Sequence, residues 1–288
     1  MNRLLIFGLG YTGSAIAEQA RAAGFVVAAT ARSQVPGCIP FDAAETEITA
    51  ATHILTTAAP NETGDPVLAR YATAIAAAPA LRWVGYLSST VAYGNRDGGW
   101  VDEDTPPAPT QARGQRRVEA ENAWAALPFA VDIFRLAGIY GPGRSVFDDL
   151  RAGRARRMIK PGHCFGRIHR DDIARAVVAA MRQDRPVGGA GEGAAKRRRD
   201  LNLTDDEPSE SAAVVLEAAA LLGVEPPPAI AFADALPAMS PMARGFWTEN
   251  RKVSCLKTKA ALGLAWCYPT YREGLRAILI QERAHRPI

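Results

Sequence analysis

Strand-like runs and alanine-rich helical stretches alternate along the first part of the chain. Mostly apolar runs stand at 4–7, 25–29, 53–59 and 82–87. Each has the length expected of a strand that is buried in a parallel sheet. The segment 66–78, between two of these runs, is rich in alanine and is typical of a helix. Strands that alternate with helices predict an α/β fold, here a Rossmann-type, doubly wound parallel sheet.

The first run ends in a glycine-rich turn that opens a helix. Gly8, Gly10 and Gly13 have the spacing Gly-x-Gly-x-x-Gly, which also occurs in purely structural turns. Here the run at 25–29 completes a βαβ unit, the context in which this motif binds a dinucleotide. Gly8 then permits a tight turn, Gly10 leaves space for the pyrophosphate, and Gly13 lets the helix pack closely on the strand. The predicted contacts in this turn are Gly8, Gly10, Tyr11, Thr12 and Gly13.

The end of the second run indicates which dinucleotide is favoured. A carboxylate in this position would bind the adenosine ribose of NAD and repel the 2′-phosphate of NADP. The chain instead reads Thr30-Ala-Arg32-Ser33. Because a guanidinium fork and a hydroxyl suit a 2′-phosphate, Arg32 and Ser33 predict NADP as the cofactor, with NAD less favoured. The alternative is an arginine that is merely solvated at the surface.

Two more places are expected to contact the cofactor. Asp42 lies where such folds often contact the adenine base, although an ordinary turn aspartate would look the same. The run at 53–59 ends in Ala58 and Ala59, small residues that leave room at the edge where open α/β sheets bind ligands. We therefore expect Asp42, Ala58 and Ala59 to line the cofactor site.

Composition narrows the class of protein. At 288 residues and 30.8 kDa, the chain is long enough for one large α/β domain or for a Rossmann domain with an appendage. The net charge of +4 is mild and the basic run Lys196–Arg199 is short, so we expect no nucleic-acid partner. The four cysteines lack Cys-x-x-Cys spacing and predict no metal site. No apolar run approaches the ~20 residues that span a bilayer, so we expect a cytoplasmic protein without membrane contact.

Several stretches resemble one known family, the extended short-chain dehydrogenase/reductases, which include the NAD-dependent epimerase/dehydratases. They follow one another along the chain at 88–94, 100–103, 135–144, 166–174, 202–208 and 268–275. In the first of them, Ser88-Ser-Thr-Val-Ala-Tyr-Gly94 is similar to the family's Ser-Ser-x-x-x-Tyr-Gly motif. The resemblance implies that Ser89 holds the reacting oxygen of the substrate. A serine that only caps a turn is the alternative.

The chain departs from the family where Tyr-x-x-x-Lys is expected. It reads Arg113-Gly-Gln-Arg-Arg117, which puts Arg113 in the tyrosine position and Arg117 in the lysine position. Arg117 could still bind the nicotinamide ribose. Arg113 cannot pass a proton near neutral pH, because the pKa of a guanidinium is about 12 or higher and the group stays charged. The chain therefore resembles the atypical members of the family, which lack the usual catalytic pair.

Three explanations of that loss stay open. Tyr93 or Tyr140 supplies the proton instead, the reaction needs no tyrosine, or the protein only senses bound cofactor. For substrate binding, Tyr140, Arg144, Arg167 and His169 are candidates, with Arg167 and its neighbours able to form an anion site. Both tyrosines would also fit as packing residues, and the arginines as a solvated face.

The resemblance also implies a division of the chain and a function. Residues 1–140 would form the cofactor-binding domain, with 166–205 returning to it, and 141–165 and 206–288 would form a substrate lobe. The predicted function is that of an NADP-dependent oxidoreductase or epimerase-like enzyme on a small polar or sugar-like metabolite. The alternatives are a non-catalytic redox or regulatory sensor and a structural or nucleic-acid partner. The sequence leaves a homo-oligomer open.

Overall fold

A parallel sheet forms the centre of the protein. The computed structural model describes residues 1–31, 35–183, 185 and 197–284. Within them, seven strands pair side by side, all parallel. In order across the sheet they are β3 (Ile39–Pro40), β2 (Val26–Ala31), β1 (Arg3–Phe7), β4 (His53–Thr56), β5 (Trp83–Ser89), β7 (Ala130–Leu136) and β11 (Arg198–Leu203). The predicted α/β fold with a Rossmann-type sheet is confirmed.

Helices cover both faces of this sheet. One face carries α1 (Tyr11–Ala22) and α6 (Arg170–Met181), and the other carries α2 (Glu45–Ala50), α3 (Pro66–Ala76) and α4 (Ala112–Ala125). Alternate residues of β1 enter the two apolar clusters: Leu4 and Ile6 pack towards α1, whereas Leu5 and Phe7 pack towards α3. A strand that is apolar at every position suits this arrangement, because its side chains point alternately to opposite faces.

Local chemistry fixes where some of these helices begin. The Asp65 carboxylate accepts from the N–H groups of Val67 and Leu68 at 2.9 and 3.0 Å, and Pro66 opens α3. An aspartate N-cap followed by proline is a strong helix start, since the cap satisfies donors that have no partner within the helix.

Three small parallel pairs of strands and further helices lie beside the sheet. The pairs are β8 (Gly138–Tyr140) with β10 (Arg167–His169), β9 (Arg157–Ile159) with β12 (Ala229–Ala231), and β6 (Trp100–Val101) with β13 (Lys252–Val253). The further helices are α5 (Val146–Arg151), α7 (Ser211–Leu222), α8 (Phe232–Ala235), α9 (Pro241–Trp247), α10 (Leu256–Leu262) and α11 (Tyr271–Ala284). Short 3₁₀ turns cover Phe41–Ala43, Thr90–Tyr93 and Leu236–Ala238. Nowhere in the described ranges does a helix combine the length and apolar character needed to cross a membrane.

The segment 206–288, which we expect to form part of the substrate lobe, also contacts the half of the chain that holds the central sheet. Cys255, Leu262 and Trp266 belong to the same apolar cluster as β1 and α1, and β13 pairs with β6 from the first part of the chain. The chain therefore returns a second time to the cofactor-binding half. The polar sequence around these residues hides that return, because only a few of its side chains face the core.

Candidate cofactor and substrate site

The glycine turn between β1 and α1 has the shape of a phosphate cradle. Gly8 has a φ of +100°, and a Cβ there would lie 2.5 Å from Thr57 Oγ1. A Cβ on Gly13 would lie 2.4 Å from the Gly8 carbonyl oxygen, so neither position tolerates a side chain. A Cβ on Gly10 would meet nothing within 4 Å. The space beside Gly10 is thus free for a ligand, at the uncapped N-terminus of α1.

This cradle stands where the strand order reverses. β1 lies between β2 and β4, so the chain leaves it in one direction and resumes the sheet on its other side. Ligands of open α/β sheets bind in the crevice that such a reversal opens beyond the carboxyl ends of the strands. A cavity of about 560 Å³ occupies this position. Its lining includes Gly10, Tyr11, Thr12, Gly13, Thr57, Ala59, Ser89 and Ile139.

Four arginines add positive charge to this cavity. Arg113, Arg116 and Arg117 reach it from α4, and Arg144 from the loop after β8. Arg117 Nη1 donates to the Tyr86 hydroxyl at 3.0 Å and to the Leu87 carbonyl at 2.8 Å, which holds its guanidinium at the end of β5. Guanidinium groups pair strongly with phosphate oxygens. The cavity therefore suits a ligand with several phosphates.

The Tyr11 side chain closes one side of the cradle. Its hydroxyl donates to the Pro142 carbonyl at 3.0 Å, and the guanidinium groups of Arg170 and Arg144 lie 4.9 and 5.6 Å from its ring centroid. Burial raises the pKa of Tyr11, which keeps its hydroxyl protonated as a donor. Tyr11 thereby ties the first turn of α1 to the loop after β8.

A second cavity of about 490 Å³ continues from the first. Both cavities are lined by Ser89, Val91, Arg113, Leu136, Ala137, Gly138 and Phe246. The walls that only the second cavity has include Met158, Cys164, Phe165, Arg167, Trp247, Glu249, Arg251 and Val253. Ser89 ends β5 at this junction, and its Oγ accepts from the Val91 N–H at 3.4 Å. A hydroxyl is thus available where a cofactor and a second ligand would meet.

Solved structures share this architecture. A functionally unknown conserved protein from Silicibacter pomeroyi DSS is 41% identical over 99% of this chain and 100% of its own, with a TM-score of 0.86. The human epimerase family protein SDR39U1, solved with NADPH, is 20% identical over 96% and 98%, with a TM-score of 0.75. MoeE5, solved with UDP-glucuronic acid and NAD, is 20% identical over 98% and 100%, with a TM-score of 0.74. A scan against protein-family models and a search of curated proteins found no match.

The relative at 41% identity, the shared fold and the ordered sequence motifs agree. The chain belongs to the same family as the conserved protein from Silicibacter pomeroyi DSS, and it shares its fold with the human epimerase family protein. Arg113 and Arg117 stand where the sequence resemblance leads us to expect Tyr-x-x-x-Lys.

Neither of the two candidate tyrosines, Tyr93 and Tyr140, lies in the lining of the cavities. Tyr93 is fully buried and donates to Asn202 Oδ1 at 2.8 Å. Tyr140 is buried against α11, with its hydroxyl 3.4 Å from the Thr270 carbonyl. Neither side chain lines the cavity that holds Ser89. Burial raises the pKa of both hydroxyls, so neither is a ready proton donor.

The predicted substrate residues lie in different parts of the structure. His169 is buried and caps α6, its Nδ1 accepting from the Asp171 N–H at 3.2 Å, and it does not line either cavity. Arg144 lies in the cofactor half of the site rather than in the substrate half. Arg167 does line the second cavity, where its Nη1 donates to the Phe165 carbonyl at 2.9 Å. A histidine N-cap satisfies a helix donor, and its sequence signature is indistinguishable from that of a site residue.

Only some of the other predicted cofactor contacts lie at the first cavity. Arg32 and Ser33 lie outside the described residues, so the NADP preference stays a prediction. Asp42 is exposed on the 3₁₀ turn after β3 and does not line the cavity. Ala59 lines it, and Ala58 lies beside it in the same loop.

Some site residues were missed. Phe246 and Arg251 come from segments far along the chain and belong to no motif. Arg116 lies between Arg113 and Arg117 on α4. Only the close approach of α9 to α4 brings Phe246 to the junction, where the Arg113 guanidinium lies 4.3 Å from its ring centroid. A basic stretch on α4 was the one signal that could have identified Arg116.

A buried carboxyl stands behind the second cavity. Asp205 follows β11 and is almost fully buried; its backbone N–H donates to the Arg167 carbonyl at 2.5 Å. Burial raises the pKa of Asp205 to about 8, assisted by Asp206 and Glu207 and opposed by Arg167. This carboxyl is therefore largely protonated at neutral pH, and it leaves the charge of Arg167 uncompensated.

The free energy of unfolding is expected to fall as the pH rises, because of Asp205. A raised pKa means that the folded state prefers the neutral carboxyl. The stability that this preference adds is complete below the unfolded pKa of about 4, and it is lost as the pH rises through about 8. Asp205→Asn removes this titration, so its gain in Tm over wild type should widen from pH 5 to pH 9, reaching at least about 3 °C. Differential scanning calorimetry at both pH values measures it. The exposed Asp149→Asn is the control, and a gap that is constant with pH would contradict the assignment.

Proposed function

We propose that this protein binds NADP and transfers hydride between it and a small metabolite held in the second cavity. One observation carries the proposal: the cavity at the glycine cradle opens into a second cavity at Ser89 and Arg113. A cofactor in the first and a substrate in the second would meet at that junction. Structures with the same fold hold NADPH in one case and NAD in another.

The residues present fit a nicotinamide dinucleotide. The free space at Gly10 and the N-terminus of α1 would receive the pyrophosphate, with Arg144 beside it. Arg117, at the end of β5, would face the ribose next to the nicotinamide, as the family resemblance implies. When bound, the nicotinamide would supply or accept the hydride.

The protein groups at the junction have separate roles in this proposal. The Ser89 hydroxyl donates a hydrogen bond to the reacting oxygen of the substrate. Arg113 contributes a permanent positive charge beside it but no proton, because its guanidinium does not deprotonate. The proton that accompanies the hydride is therefore exchanged with solvent.

The arginines at positions 113 and 117 support a second candidate function, a sensor that binds NADP without turnover. Arg113 and Arg117 stand where the family has its catalytic pair, and both side chains line the cofactor cavity. NADPH absorbance during incubation with a set of aldehydes, ketones and oxo acids separates the two candidates. Consumption that requires the protein and is lost in Ser89→Ala supports the enzyme, whereas tight NADPH binding without any consumption supports the sensor.

Cofactor choice provides the direct test of NADP binding. Calorimetric titration should show NADPH binding at least about tenfold more tightly than NADH, because an arginine and a hydroxyl at the end of β2 suit the 2′-phosphate. In Arg32→Asp this preference should disappear or reverse, since a carboxylate repels that phosphate. Arg21→Asp, in the last turn of α1, is the matched control and should keep the preference. Equal binding of both dinucleotides by the wild type would remove Arg32 from the proposal, and binding of neither would remove the cofactor.

A further inference from the structure

The second cavity is rich in guanidinium groups, and two of these groups have a donor atom without a partner. Arg113, Arg167 and Arg251 line it, against one carboxylate, Glu249. Within the described residues, the Nε atoms of Arg113 and Arg251 are buried and have no hydrogen-bond partner. A buried donor without an acceptor is costly, and more so when it belongs to a charged group. An anionic ligand in this cavity would contact guanidinium groups that are not fully hydrogen-bonded by the protein.

The carboxyl groups nearby neutralise only one of these arginines, Arg251. Glu249 is already engaged, with Oε1 accepting from the Thr110 hydroxyl at 2.7 Å and Oε2 from Arg251 Nη1 at 2.8 Å. Asp205, beside Arg167, is largely protonated at neutral pH because burial raises its pKa to about 8. The cavity therefore keeps an excess of positive charge.

The rest of the cavity is apolar. Its wall is formed by Met158, Phe165, Phe246, Trp247 and Val253. The rings of Phe165 and Trp247 meet edge to face with centroids 4.9 Å apart, and Phe246 lies under the Arg113 guanidinium. Hydroxyl-bearing side chains are few in this lining, namely Ser89, Thr90 and Ser211. A sugar would leave most of its hydroxyls without partners against such a wall, whereas a hydrocarbon body would be well covered.

We infer that the second cavity takes a small carboxylate with an apolar or aromatic body, and that Arg113 binds the carboxylate together with Arg251. Arg113 stands at the junction with the cofactor cavity, so the carboxylate would lie next to the reacting centre. The inference deepens the proposed function and depends on it for the reaction, although not for the binding. It gives a role to the arginine that replaces the family's tyrosine: Arg113 holds the substrate rather than passing a proton.

A matched pair of ligands tests the carboxylate. Phenylpyruvate and phenylacetone are both benzyl ketones and differ by a carboxylate in place of a methyl group; pyruvate keeps the acid and lacks the ring. Isothermal calorimetry on the full chain, with and without NADP⁺, should show phenylpyruvate binding at least about tenfold more tightly than either of the other two. Equal affinity for phenylpyruvate and phenylacetone, or no binding of phenylpyruvate, would overturn the inference.

Variants then locate the anion site. Arg113→Met should weaken phenylpyruvate binding about 10- to 100-fold and leave phenylacetone unchanged, because a hydrogen-bonded charge pair is lost. Arg113→Lys, which keeps the charge but not the fork, should fall between, and it serves as the test if the Met variant does not fold. Arg156→Met removes the same charge from an exposed position before β9 and should change nothing. Undiminished phenylpyruvate binding in both Arg113 variants would refute the assignment.

Two further arms separate this inference from the proposed function. UDP-glucose that displaces phenylpyruvate and depends on Arg113 would overturn the substrate class, since it would make the cavity a nucleotide-sugar site. NADP⁺ and NADPH titrations of the wild type are read independently. Selective phenylpyruvate binding without any binding of either dinucleotide would support the anion site while refuting the proposed function.

Discussion

Gly10→Val is expected to weaken NADPH binding by about 100-fold or more, which corresponds to about 3 kcal/mol. A Cβ on Gly10 meets nothing within 4 Å, so the protein itself tolerates the side chain. The valine methyl groups would instead occupy the space at the N-terminus of α1 that a pyrophosphate needs. Calorimetric titration with NADPH measures the loss, and the thermal melt should stay within about 2 °C of wild type.

Ser14→Val is the matched control for this variant. It places the same β-branched side chain on α1, at an exposed position outside the cavity lining. Its NADPH affinity should equal that of wild type. Undiminished binding by Gly10→Val would show that the cradle does not receive the dinucleotide.

Glu121→Gln is expected to lower the free energy of unfolding by about 3 to 5 kcal/mol. Glu121 and Arg135 are fully buried and form a bidentate pair, Nε to Oε1 at 3.1 Å and Nη2 to Oε2 at 2.7 Å. The carboxylate also accepts from the Ser88 hydroxyl at 2.6 Å and from Arg198 Nη2 at 2.9 Å. A glutamine amide would turn an NH₂ group towards donors and leave Asp200, 2.9 Å from Arg135 Nη2, to compensate the charge. Urea denaturation of both proteins measures the difference.

An exposed pair of the same type provides the comparison. Arg151 and Glu282 also form a bidentate pair, with side chains 35% and 24% exposed. Glu282→Gln should cost less than about 1 kcal/mol, because water solvates both groups when the pair is broken. Equal losses in the two variants would mean that burial does not decide the value of these pairs.

Much of the fold was predictable from the apolar pattern. The runs at 4–7 and 82–87 correspond to β1 and β5, because a strand buried on both faces must be apolar at nearly every position. The glycine spacing predicted the cradle for a similar reason. Gly8 needs a positive φ and Gly13 has no room for a Cβ, so single residues determine the geometry of this turn.

Residues 186–199 are rich in glycine and end in Lys196-Arg-Arg-Arg199, a pattern that predicts an exposed loop. Residues 186–196 of that loop lie outside the described residues, but Arg198 and Arg199 are the first residues of β11 rather than an exposed loop. Arg199 Nη2 lies 2.8 Å from Oδ2 of the fully buried Asp132, and Arg198 pairs with Glu121 and Asp200. The sequence of this charged run does not reveal that two of its partners, Asp132 and Glu121, lie on β7 and α4.

What the sequence by itself determined is the set of properties that depend on neighbours along the chain: the alternation of strand and helix, the glycine turn, and the absence of the family's tyrosine and lysine at Arg113 and Arg117. Only the tertiary structure decided which side chains reach the site. It buried Tyr93 and His169, separated Arg144 from Arg167, and brought Phe246 and Arg251 to the junction with Ser89. Secondary structure follows from local spacing, whereas a site is formed by residues from distant segments whose side-chain directions are fixed by packing in three dimensions.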